Sequence, residues 1–363
     1  MLFRSPRRHA DSALARLGEL LPSLALTRSY RAGGEDLAEL VNRRFYGGRI
    51  QSLPWAGTFL GHGSLSLDFV ADGHGMPDED TGAVESVDAE VIRVVELVLD
   101  HASHRPRESL MVITASARHA VRVQQAVLHA AAKRSDVTEF FIGDRAEPFM
   151  VATLEQCVAQ SRDRVIFSVG YGRTPHGRVL SNFGSLAAPG GERLLAVAMT
   201  RARRSMVVVS CFQPGDIDQD RMKHGIVALA QILSEAEARF REDPIPDDGY
   251  AMLVDLARRL EGLGLAPALG HRDKLGLVAS YGGRAIAIET DPVVNQTSLR
   301  ESLRLRPEML KRLGWHYLRV HSFELFADQD AVARRIATAL GAISDAHPIT
   351  APVEVQPGAH RAE

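Results

Sequence analysis

Three segments in fixed order constrain this chain more than anything else in it. An apolar run, RVIFSVGYG (Arg164 to Gly172), leads through a short basic connection to GGERLLAVAMTRAR (Gly190 to Arg203). A second apolar run, MVVVS (Met206 to Ser210), follows at once. Strand, glycine-marked loop, helix and strand in that order predict a β-loop-α-β unit, in which the two strands lie parallel in one sheet. The helix ends by delivering Arg201 and Arg203 at its junction with the second strand. A guanidinium there is permanently charged and offers a planar fork of donors suited to a phosphate. The other reading is a solvated basic helix end favoured by the helix dipole.

The rest of the first two hundred residues repeats the alternation. SLSLDFV (Ser64 to Val70), SLMVITA (Ser109 to Ala115) and Phe149 to Ala152 read as strands, with another near Phe140. Val87 to His101 and Ala117 to Lys133 read as helices. The expected fold class is α/β, a three-layer parallel sheet followed by a smaller α/β domain. PIPDDG (Pro244 to Gly249) marks the division. The predicted organisation is residues 1–215, a helical linker over 216–248, a second domain over 249–343 and a disordered tail over 344–363. The chain has 363 residues and a formal net charge of -2, so a nucleic-acid partner has to be met by a local patch. Its two cysteines, Cys157 and Cys211, form neither a disulfide framework nor a zinc pattern, which points to a cytoplasmic protein. No run reaches the roughly 18 to 20 apolar residues that cross a bilayer.

Several collinear blocks resemble the second RecA-like domain of superfamily 1 helicases. LTRSYRAGGEDLAELVNRRFYGGRI (Leu26 to Ile50) is similar to motif IV with its N-x-x-F-Y-x-G continuation, here Asn42, Phe45, Tyr46 and Gly48. SLMVITASARHAVRVQ resembles the strand and helix before motif V, and VAMTRAR resembles motif VI. The resemblance implies that Arg201 is the finger for the ATP γ-phosphate, with Arg31 a second phosphate-facing arginine and Arg203 in support. Where motif V of the family shows Q-G-x-E-R-D, this chain has Val158, Ala159, Gln160, Ser161, Arg162 and Asp163. No G-x-x-x-x-G-K-S/T occurs anywhere, and no strand ends in an Asp-Glu pair. The expectation is therefore a motor half. ATP and Mg²⁺ would be engaged only with a partner polypeptide, or a missing N-terminal half, that carries the Walker A and B elements.

GYGRTPHG (Gly170 to Gly177) superficially suggests a dinucleotide loop, but proline stands where a third glycine belongs. Its basic flank, Arg173, His176 and Arg178, is better suited to the backbone of DNA or RNA. A solvated surface loop is the alternative.

Residues from Tyr250 to Ala339 resemble the small restriction-endonuclease-like domain of the PD-(D/E)XK type, related to very-short-patch repair nucleases. AIETD supplies Glu289 and Asp291, and RESLRLRPEMLKRLGW supplies Arg300, Arg304, Arg306 and the Leu313-Gly314-Trp315 turn. Metal-dependent hydrolysis needs carboxylates on adjacent strands to hold Mg²⁺. Glu289 and Asp291 are the candidate metal ligands, and Asp273 is a displaced third acid. Glycine (Gly276) stands where the resemblance places the first aspartate, which implies a degenerate site. Three functions remain open at this point: a helicase-type nucleic-acid-processing protein with an incomplete ATPase, a non-catalytic binding module, and a metal-dependent endonuclease.

Overall fold

The computed structural model describes residues 13–22, 24–25, 35–218, 221–237, 251–291 and 298–343. Arg31, and the parts of the expected linker and tail over 238–250 and 344–363, lie outside them. The chain divides into two compact units, one of Met1–Leu53 with Gly63–Arg241, the other of Pro54–His62 with Glu242–Glu363.

The first unit is a five-stranded sheet built from β1 (Leu65–Phe69), β2 (Leu110–Thr114), β3 (Met150–Thr153), β4 (Arg162–Ser168) and β5 (Ala202–Ser210). Its order is β1-β5-β4-β2-β3 and every pairing is parallel. All five residues of β2 are buried, as a strand covered on both faces requires. Alternate side chains go to separate cores. Met111, Ile113, Val165, Phe167 and Val208 meet helices α2 (Glu35–Phe45), α7 (Gly191–Met199) and α8 (Gly225–Glu237). Leu110, Val112, Ile166 and Val209 meet α4 (Asp88–His104) and α5 (Ala117–Ala131). This is the expected three-layer α/β arrangement around a parallel sheet.

Three details differ from the sequence expectation. The aromatic run near Phe140 is not a strand but helix α6 (Thr138–Ile142), which tucks Phe140 among Phe141, Phe149 and His101. Adjacent aromatics favour strands only where a pleated surface exists to receive them. Second, α8, inside the expected linker, buries Leu229 and Leu233 in the first unit's core. Third, the short helix α3 (Ala56–Phe59) belongs to the second unit, where Trp315 donates its Nε1–H to the carbonyl of Pro54 at 2.8 Å.

The second unit is a sheet in the order β6-β7-β8-β9, from β6 (Ala266–His271), β7 (Leu275–Tyr281), β8 (Arg284–Glu289) and β9 (His316–Arg319). The first three strands pair antiparallel and β9 joins parallel to β8. Helices α9 (Ala251–Gly262) and α12 (Gln329–Leu340) cover one face, packing Leu256, Leu260, Val332 and Ile336 on Leu277, Ala279, Ile286 and Ile288. Helix α10 (Arg306–Arg312) precedes β9, and α11 (Ser322–Ala327) lies between β9 and α12.

Candidate functional site

The candidate residues of the first unit fall at opposite ends of its parallel sheet. Arg201 and Arg203 stand where β5 begins, at the amino edge. Arg173, His176 and Arg178 follow β4, at the carboxyl edge. At about 3.3 Å per residue the length of β4 separates the two edges by roughly 20 Å.

Arg201 is 6% exposed. Its Nε donates to the carbonyl of Val197 at 2.9 Å, Nη1 to that of Gln160 at 3.1 Å, and Nη2 to the Thr200 hydroxyl at 2.7 Å. Delivery to a nucleotide therefore requires that these bonds be exchanged. Arg203, on β5 itself, lies between Glu147 at 2.5 Å and Asp163 at 3.1 Å and also donates to Ser109 Oγ. The Arg203 guanidinium holds the Glu147 carboxyl at about 2. Arg164 and Arg204 share Glu108, extending the ion pairs along the amino edge.

At the carboxyl edge the glycines of GYGRTPHG serve packing. A Cβ on Gly172 would lie 2.3 Å from Val87 Cγ2, and one on Gly170 would lie 3.0 Å from the His119 ring. Gly170 also has φ +75, which glycine adopts without strain. Arg173 lays its guanidinium over the Phe69 ring, 5.4 Å from the centroid, and donates to the carbonyl of Ala71. His176 and Arg178 are exposed on the turn that follows. The structure thus separates this basic trio: Arg173 is engaged inward and the other two face solvent.

Beneath that loop is a buried polar chain that sequence reading missed. Glu90 from α4, and His119 from α5, are both 0% exposed. Glu90 Oε1 accepts from the Ser168 hydroxyl at 2.7 Å and from the Gly170 N–H at 2.9 Å. Cys211 Sγ lies 3.4 Å from Glu90 Oε2. His119 Nε2 is 2.8 Å from Ser168 Oγ, and its Nδ1 is 2.9 Å from Ser86 Oγ. Burial holds His119 below the ordinary histidine value, and burial with Glu90 nearby pushes the Cys211 thiol up. The only local signal was a glutamate in the first turn of a helix, which reads as a partner for the dipole. Its real partners are some 78 and 80 residues away in sequence.

In the second unit Glu289 is the last residue of β8 and is 3% exposed. It pairs with Arg306 Nε and accepts from the Tyr317 hydroxyl at 3.1 Å. Burial, then the Glu289 charge, pushes the Tyr317 phenol up to about 12. Asp291 lies beyond the strand, so the two acids do not share a strand face; it meets His321 Nδ1 at 2.6 Å and the Ser322 N–H at 2.7 Å. Asp273 occupies the exposed β6–β7 turn with φ 54. Among the described residues no group of three or more His, Cys, Asp or Glu is placed to hold a metal ion. Nor is any helix among them long and apolar enough to cross a membrane.

No family model matches the chain, and no curated protein matches it. Among solved structures, the chain is similar to the C-terminal domain of a possible DNA helicase from Lactobacillus plantarum WCFS1. That match has 11% identity and a TM-score of 0.28, over 49% of this chain and 85% of the other. The HK97 bacteriophage large terminase gives 10% identity and a TM-score of 0.28, over 84% of this chain and 78% of the terminase. The Escherichia coli DEAH/RHA helicase HrpB gives 10% identity and a TM-score of 0.23, over 88% and 50%. At these scores the likenesses carry no argument about what the chain does.

Proposed function

We propose that this chain is a helicase-type nucleic-acid-processing module that does not hydrolyse ATP by itself. The observation that carries this reading is the closure of the carboxyl edge of its parallel sheet. That edge is where open α/β sheets take their ligands. Here the Gly170 amide and the Ser168 hydroxyl, donors of the kind that hold phosphate oxygens, are spent on the buried Glu90 carboxyl. A nucleotide phosphate would have to displace an internal acid. The sequence also lacks the phosphate loop that would compete for it.

Arg201 then acts on ATP and Mg²⁺ held by another polypeptide, with Arg31 and Arg203 as further contributors. The exposed pair His176 and Arg178 contacts a DNA or RNA backbone. The test uses the full chain with MgATP and a fluorescent single-stranded oligonucleotide. Expected are no phosphate release above background and binding that weakens linearly in log salt. Arg178→Ala is expected to lower that salt slope by about 1. Turnover by the chain alone, or no binding at low salt, overturns the reading.

A further inference from the structure

We infer that the cation serving the buried acid of the second unit is a side chain, Arg306, seated where a nuclease-like fold would place a divalent metal ion. The residues present do not fit Mg²⁺, which requires near-octahedral oxygen coordination at about 2.0–2.1 Å. One of the two acids that the sequence offers, Asp291, is spent on His321 and on the Ser322 amide. Asp273 sits in an exposed left-handed turn. One step beyond the Leu277–Ile288 pair, the antiparallel register puts Gly276 across from Glu289. A Cβ there would meet nothing nearer than Leu253 Cδ1 at 3.5 Å, so room for a side chain exists but no carboxylate occupies it.

What does fit Glu289 is a guanidinium. Arg306 Nε donates to Glu289 Oε1, and Arg306 Nη2 donates 2.6 Å to the carbonyl oxygen of Lys274 at the head of β7. One planar fork thus joins a carboxyl from β8 to the main-chain carbonyl that immediately precedes β7. The second carboxyl oxygen is taken by Tyr317. The Arg306 side chain is 16% exposed and that of Glu289 is 3%, so the pair is closed from solvent on most sides. A fixed cation between those two oxygens is the electrostatic arrangement that a metal would supply. It offers no open position for a water nucleophile. The inference is that this unit excludes divalent ions by carrying its own charge. Removal of Arg306 uncovers a latent site for a small hard dication on Glu289 and the Lys274 carbonyl.

The test follows thermal melting of the full chain, with MnCl₂ as probe at millimolar concentration. The wild-type melting temperature is expected not to respond to Mn²⁺. Arg306→Ala should melt several degrees lower and recover part of that loss with Mn²⁺. The double variant Arg306→Ala with Glu289→Gln should melt above the single variant and ignore Mn²⁺, because no charge is left unpaired. Should Arg306→Ala fail to fold, Arg306→Met, which keeps an apolar stem of similar length but no charge, carries the same comparison. A wild-type response to Mn²⁺ that Glu289→Gln abolishes would overturn the inference. So would single variants that Mn²⁺ leaves unchanged.

Discussion

Ser168 gives its one hydroxyl proton to Glu90 Oε1 across 2.7 Å, with both side chains fully buried. That bond fixes the chemistry of its neighbour. With its proton spent, Ser168 Oγ can only accept from His119 Nε2, so the neutral ring carries its proton there. Nδ1 is then bare and accepts from the Ser86 hydroxyl. Helix α4, helix α5 and the end of β4 are thereby joined by a chain of bonds in which each polar atom has one role.

Loss of Glu90 strands two buried donors at once. Glu90→Ala leaves the Ser168 hydroxyl and the Gly170 amide without their acceptor, at about 1–3 kcal/mol for each orphaned group. The expected loss is about 2–5 kcal/mol by urea denaturation followed by circular dichroism. Glu90→Gln keeps one acceptor oxygen and is expected to lose less than half as much. Equal losses in the two variants would show that the acceptor role is not what matters.

Buried histidines give the stability an acid limb. Burial holds His101 and His119 below their ordinary value and places His271 at about 4. The unfolded chain therefore binds protons below about pH 6.5 that the folded chain refuses, and stability falls as pH falls. For His271 the window runs from about pH 6.5 to about pH 4 and is worth about 3 kcal/mol. His271 packs edge-on between Phe59 and Trp315, so His271→Leu keeps an apolar filling. It should flatten the decline of the second unit's unfolding midpoint over that range; an unchanged slope would assign the decline elsewhere.

The sheet of the first unit was legible because burial on both faces writes continuous apolar runs, such as Leu110 to Thr114, that need no context. The helix Gly191–Met199 and the strand after it were legible for the same local reason, from their apolar runs alone. What escaped was non-local. Glu90, His119 and Ser168 meet only because three crossovers bring their elements to one edge. Nothing at 78 residues' separation marks a glutamate as the partner of a serine. Strand β6 (Ala266–His271) escaped because Pro267 and its small residues lack alternation, and its place is set by pairing with β7. The place of Asp291 escaped as well: β8 ends at Glu289, so the two acids of AIETD are not held by one strand.

Asn42 gives a local test of the motif IV resemblance. Its Nδ2 donates to the carbonyl of Ile50 at 2.6 Å while its Oδ1 accepts the Ile50 N–H at 2.8 Å. This two-way clamp closes the Tyr46–Ile50 loop, in which Gly47 and Gly48 take φ of +59 and +74. Asn42→Asp keeps the acceptor but sets a carboxylate against a carbonyl. It is therefore expected to destabilise at least as much as Asn42→Ala, by about 1–2 kcal/mol. Urea midpoints for the two variants decide it, and a harmless Asn42→Asp would refute the donor half of the clamp.

Arg203 sits where two carboxylates would otherwise repel, and this makes its contribution measurable by salt and by acid. The Arg203 side chain is 35% exposed and that of Glu147 37%, so solvent screens the pair and its coupling should be near 1 kcal/mol rather than that of a buried pair. A double-mutant cycle of Arg203→Ala and Glu147→Ala measures it, and the coupling should shrink between 0.05 and 1 M NaCl, roughly the range over which the screening length falls below the size of the pair's surroundings. The acid dependence has a definite sign. The folded Glu147 value of about 2 lies below its unfolded value of 4.5, so its contribution is present above pH 4.5 and is lost as pH falls towards 2. Without Arg203 that separation narrows, because Arg203 is the largest cause of the depression. Arg203→Ala should therefore lose less stability than the wild type between pH 4.5 and pH 2, although it starts lower at pH 7. A coupling unaffected by salt, together with an unchanged acid limb, would mean that Arg203 is held by its Ser109 and Ser161 contacts rather than by charge.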